Sequence, residues 1–167
     1  GTFWKDARIK FNYEPEEGVY EPVVESRAMS TQPTPEEEIA VHGFYIGRLI
    51  YAQQNQEDLL DIEKTNRNRY AAMHNGLDTK LYDPQGDLRD AEKVLEKELA
   101  KAEEGLELAG IDQSYSGEGY DTFIDILYER LDTGVPSDLM AEEFQNSIEQ
   151  GLGRDEALMK GLKNTGI

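Results

Sequence analysis

Leu88, Ala91, Leu95, Leu99, Ala102 and Leu106 recur at spacings of 3, 4, 4, 3 and 4. Those intervals trace one apolar stripe along a helix of about six turns. Asp87 stands where a cap belongs, and the turn sequence Asp83-Pro84-Gln85-Gly86 precedes it. The opposite face is charged, with Lys93, Lys97 and Lys101 in one row beside Glu92, Glu96 and Glu103. A stripe of this kind needs a facing surface, and the preceding segment offers one. The pair is expected as an antiparallel helical hairpin.

That preceding segment opens with a strong helix start. Thr34 can cap, Pro35 suits the first helical position, and Glu37 sits where a capping box needs its acid. No proline occurs from Glu36 to Asp83, and Ile39, Ile46, Leu49, Ile50, Leu60, Ile62, Tyr70 and Met73 fall at roughly helical intervals. One long helix, or two broken near Gln53 to Gln56, is expected. The competing reading is a strand from His42 to Tyr51, where Gly43 and Gly47 weaken a helix and β-formers are dense. The Gly43-x-x-x-Gly47 spacing would let another helix approach closely. Asn75-Gly76 stops the segment.

Three shorter helices are expected after the loop that follows Leu106: Tyr120 to Leu131, Ser137 to Gln150 with Ser137 as cap, and Asp155 to Lys163. The fold class is therefore mainly α, with residues 36–167 forming a helical domain. Residues 1–35 hold four of the six prolines and the β-like runs Ile9 to Tyr13 and Val19 to Val24. They are expected as an extended arm with minor β content. Phe3, Trp4, Phe11, Tyr13 and Tyr20 would be its anchors on the body or on a partner.

The charge pattern limits the partners. The chain has 35 acidic and 17 basic residues, a net charge of −18 spread along its length. Such a field repels phosphate backbones and favours cations or basic protein surfaces. No cysteine is present, which excludes disulfides, thiolate catalysis and cysteine-ligated zinc and fits an intracellular or virion interior. No run of 18 apolar residues occurs, so no segment is long enough to span a membrane as a helix. The opening GTFWKDARIKF lacks an apolar signal core and an initiator Met, which points to a processed chain or a piece of a longer one.

Few motifs carry chemistry. Asp112, Ser114, Ser116 and Glu118 fall near the spacing of a calcium loop, with Gly117 at the sixth position. Position twelve is Phe123, where the bidentate Glu is required, so calcium would need a looser oxygen cage and a plain turn is the stronger expectation. Asp121 is placed to cap the next helix. His42 and His74 show no metal-ligand spacing. Neither a phosphate-binding glycine motif nor a G-x-S-x-G elbow occurs. Acid pairs such as Glu142 with Glu143 fit solvated faces.

The expectation is a non-enzymatic protein that docks within a larger assembly, a virus particle being one setting. Two alternatives are an acidic mimic of nucleic acid that blocks a basic groove and a weak calcium-binding helix-loop-helix module.

Overall fold

The computed structural model describes residues 7–16, 18–26, 32–115, 119–134 and 136–164. The chain divides after Gln32 into an N-terminal unit and a second unit that begins at Pro33.

In the first unit the two β-like runs pair with each other. Strand β1 (Ala7–Glu14) lies antiparallel to β2 (Val19–Ser26), with Phe11 opposite Pro22 and Tyr13 opposite Tyr20. The Tyr13 and Tyr20 rings stand 5.1 Å apart, a cross-strand aromatic pair. Gly18, at φ 68°, supplies the left-handed backbone that closes the turn. Within the expected extended arm the two β-like runs form a hairpin, each finding its hydrogen bonds in the other.

The second unit is helical. Helix α1 (Pro35–Gln54) starts at the expected capping box: Thr34 Oγ1 accepts from the Glu37 amide, and the Glu37 carboxylate accepts from the Thr34 amide. His42 to Tyr51 is helix, not strand. The polar Gln53 to Gln56 region ends α1, and a second helix, α2 (Ile62–Asn75), begins at Asp61, whose carboxylate caps the Lys64 amide. Gly76 then stops α2.

Asp83 to Gly86 forms the expected turn, but between two short strands, β3 (Lys80–Tyr82) and β4 (Leu88–Asp90). Helix α3 (Ala91–Leu108) therefore starts three residues later than Leu88, and Leu88 is exposed in β4. Asp87 does not cap the helix. Its amide donates to Asp83 inside the turn.

Helix α3 packs chiefly on α1, not on the adjacent α2, and the expected antiparallel pairing is corrected. Val41 and Phe44 share an apolar cavity with Leu95 and Leu99, Gly47 meets Ala102, and Gly105 meets the Gly47 and Tyr51 backbone. Contacts that advance together along both helices mean that they run in the same sense. Helix α2 and the β3–β4 hairpin provide the return path. Helix α4 (Asp125–Thr133) runs back between them, from Phe123 beside Gly43 to Arg130 paired with Glu37 at 2.6 Å. Leu99, Leu106 and Ile124 form the core, with Phe44, Phe123, Leu127, Tyr128 and Leu131 packed on it. Helices α5 (Pro136–Glu149) and α6 (Arg154–Asn164) pair with each other, Gly161 against Met140 and Lys160 against Glu143 at 2.6 Å.

The helical periodicity of α1 is real, but the buried face is the small one. Ala40, Gly43 and Gly47 face inward, while Ile39, Ile46 and Leu49 point to solvent. Small residues win that face because backbone-to-backbone approach on α3 leaves no room for a Cβ at Gly47 or Gly105.

Candidate functional site

The outward face of α1 leads into a groove of about 310 Å³. Ile39, His42, Gly43 and Ile46 of α1 form one wall, and Leu106, Ile111 and Phe123 form the other. Ile39, Ile46 and Ile111 are 57%, 44% and 40% exposed, so the groove is open along its length. Leu49 extends the stripe on α1 by another turn and is 53% exposed. Scattered exposed apolar residues need no explanation, but Ile39, Ile46 and Ile111 stand together around one groove.

The groove is one-sided in charge. Its lining holds one acid, Glu38, and no Lys or Arg. Glu38 lies in the groove wall itself, 3.6 Å from His42 Nδ1. The site is an apolar floor with one carboxylate, Glu38, in its wall.

A charged clamp fixes what lies beyond the C-terminal end of α1. Arg48 donates from Nε to Glu98 and from Nη2 to Glu57, each at 2.6 Å. Lys101 donates to Glu98 at 2.9 Å and also to Glu57. Both cations lie near the Tyr51 ring, at 5.4 and 5.8 Å from its centroid. Partial burial would raise the Glu57 pKa, but hydrogen bonds from Lys101 and Arg48 hold it below its ordinary value. Burial alone would lower Lys101, yet its bonds to Glu57 and Glu98 raise it. Because Glu57 belongs to the α1–α2 connection, the clamp sets where α2 leaves the body. Nothing local in the sequence signals it, since Arg48 and Glu98 are fifty residues apart.

The residues singled out from sequence fall in three places. Phe11, Tyr13 and Tyr20 share the hairpin and are 66%, 53% and 70% exposed, while Phe3 and Trp4 lie outside the described residues. Asp112 accepts from the Ser114 amide at 2.9 Å, an Asx turn that holds its carboxyl below the ordinary value. Ser116 and Glu118 lie outside the described residues. The loop is closed by a bridge between Ser114 and Thr122. Asp121 does not cap α4; in the turn ahead of the helix Thr122 Oγ1 accepts from the Asp125 amide, and the Asp125 carboxylate accepts from the Thr122 amide. Among the described residues, no three His, Asp or Glu side chains gather as a metal site. His42 Nδ1 lies 2.8 Å from the Glu38 carbonyl on the groove wall.

The paired acids weighed from sequence have local work. Glu37 completes a cap and an ion pair to Arg130, and Glu143 pairs with Lys160. Burial and a 3.0 Å bond to Glu103 push the Tyr128 phenol up, so that hydroxyl stays protonated as a core donor. No helix among the described residues is long and apolar enough to cross a membrane. Comparison with protein-family models, with curated proteins and with solved structures finds no match.

Proposed function

We propose that the chain is a non-enzymatic docking protein whose α1 groove receives an apolar segment with basic flanks from a partner protein. One observation carries this reading: an open apolar groove whose lining holds Glu38 and no Lys or Arg, in a chain of net charge −18. Apolar side chains seated on Ile39, Ile46, Leu106, Ile111 and Phe123 would supply affinity, at roughly 25 cal/mol per Å² of apolar area removed from water. The acids would select partners by charge and speed encounter, and would repel nucleic acid and anionic lipid.

At about 310 Å³ the groove is at the low end of the roughly 300–1,000 Å³ that small-molecule pockets occupy, and it is open where those enclose their ligand. An amphipathic helix laid along α1, with anchors one or two turns apart, matches its shape better. A hydrocarbon floor also favours a docking helix over a blocked nucleic-acid groove, where rows of carboxylates would do the work.

The test is a pair of synthetic helical peptides, one of Leu and Lys and one of Leu and Glu, titrated into protein labelled at the Ile methyls. The Leu/Lys peptide is expected to shift Ile39, Ile46 and Ile111 and to leave the buried Ile124 unmoved. Equal shifts from both peptides, or none from either, would contradict the reading.

A further inference from the structure

The core of the second unit is not filled evenly. Gly47 of α1 meets Ala102 of α3, and Gly105 meets the Gly47 and Tyr51 backbone, so the two helices touch main chain to main chain there. Six residues earlier on each helix stand Val41 and Leu99, about 9 Å back along the axis at about 1.5 Å per residue. At that level the facing residues are large. Val41 and Phe44 of α1, Leu95 and Leu99 of α3 and Leu127 and Leu131 of α4 line an apolar cavity of about 190 Å³. It reaches the core, because Leu99 is 4% exposed and belongs to the same cluster as Leu106 and Ile124.

The chemistry of the lining is narrow. It consists of seven apolar side chains and one polar residue, Arg130. Arg130 is largely buried, and its Nη2 lies 2.6 Å from the Glu37 carboxylate. Glu37 is not in the lining, so the charge of Arg130 is balanced from outside the cavity and a guest has none to neutralise. Water needs about two to four polar partners to settle in a cavity, and this wall does not offer them. A charged guest would exchange its hydration for hydrocarbon, at a large cost. An apolar cavity of about 150 Å³ is already enough to take up benzene.

We propose that this cavity is a binding site for one small uncharged hydrocarbon group, a single aromatic ring or a short alkyl chain. Its volume lies below the roughly 300–1,000 Å³ of pockets that hold drug-sized ligands, so the guest is one ring or its equal in bulk. The guest packs on Phe44, Leu99, Leu127 and Leu131, where its dispersion contacts add to those of the core. The site is separate from the α1 groove. No residue lines both, and Val41 and Phe44 stand about 180° around α1 from Ile39 and Ile46 at about 100° per residue. Peptide docking and hydrocarbon binding therefore stand or fall independently.

The experiment titrates benzene, and in a parallel series benzoate, into the full chain labelled at its Val and Leu methyls. Benzene is expected to shift Val41, Leu99, Leu127 and Leu131 along one saturating curve at roughly millimolar concentration. Benzoate carries the same ring with a charge and is expected to bind at least about tenfold more weakly. Val41→Phe, at a half-buried position of the wall, fills the space and is expected to weaken benzene at least about tenfold. Leu95→Trp, also half-buried, takes its place should Val41→Phe lose its helical circular dichroism. Benzene is expected to raise the Tm of the parent chain by mass action and to leave that of the filled variant unchanged.

No saturating methyl shift with benzene, equal binding of benzoate, or undiminished benzene binding by a folded, filled variant would overturn the proposal.

Discussion

Gly47 of α1 and Gly105 of α3 touch backbone to backbone: a Cβ built on Gly105 would overlap the Gly47 carbonyl, and one on Gly47 would overlap the Ala102 carbonyl. The obstructing atoms are main chain, which cannot swing aside. Gly47→Ala and Gly105→Ala should each push the helices apart and destabilise by about 1–3 kcal/mol or more. A drop of roughly 2–4 °C in Tm per kcal/mol is expected for a domain of this size. Ala100→Leu, on the exposed face of α3, should stay within about 0.5 kcal/mol. Thermal melts of the three variants check this directly.

Leu99 and Leu88 belong to the same sequence stripe but not to the same structure. Leu99 is 4% exposed in the core, and Leu88 is 52% exposed in β4. Leu99→Ala should cost about 2–5 kcal/mol by removing buried hydrocarbon and leaving a cavity. Leu88→Ala should cost under about 1 kcal/mol. Urea unfolding of both variants tests where α3 begins.

The pair illustrates what the sequence can and cannot disclose. Caps and stops were legible because they are local: Thr34 with Glu37, Gly76 after α2 and the Asp83 to Gly86 turn all stand where chain chemistry put them. Helix periodicity identified α1, and the Gly43-x-x-x-Gly47 spacing pointed to the close helix approach that Gly47 makes on Ala102. Ile39, Ile46 and Leu49 also fall at helical intervals, and periodicity alone did not show that they are exposed. Leu88 matched the helical interval by coincidence of spacing. The groove was not legible, because its walls come from residues about sixty positions apart, and the clamp for the same reason. The aromatic pair Tyr13 and Tyr20 was visible as two β-like runs but not as partners.

Arg48 joins Glu57 and Glu98, and both acids are mostly buried. Arg48→Met leaves two carboxylates sharing Lys101. A loss of about 2–3 kcal/mol is expected, between the exposed-pair and buried-pair cases. The pH dependence has a defined sign. The Glu57 pKa is held below its ordinary 4.5, so its contribution is fully present above pH 4.5 and fades as pH falls through the folded value. Lys101 is raised above its ordinary 10.5, so its share is present below pH 10.5 and fades as pH rises through the folded value. Glu57→Gln should flatten the acid limb of a urea-denaturation series run from neutral pH to about pH 3. An unchanged acid limb would remove Glu57 from the account.

Asn68 ties α2 to β3 with a pair of side-chain hydrogen bonds to Tyr82. Asn68→Ala should loosen α2 without unfolding the core, at about 1–3 kcal/mol for the local opening. Hydrogen exchange should accelerate across residues 62–75 and stay slow around Leu99 and Leu106. Uniform acceleration across the chain would mean that α2 is part of the global folding unit.

The central claim is that the α1 groove is a docking surface for a basic apolar helix. Calorimetric titration of the Leu/Lys peptide into the chain and into Ile46→Asp tests it most directly, with Tm measured on both. Ile46 is 44% exposed, so the substitution should leave Tm within about 2 °C while weakening binding at least about tenfold. Equal affinity for the two proteins, with Ile46→Asp still folded, would contradict the account.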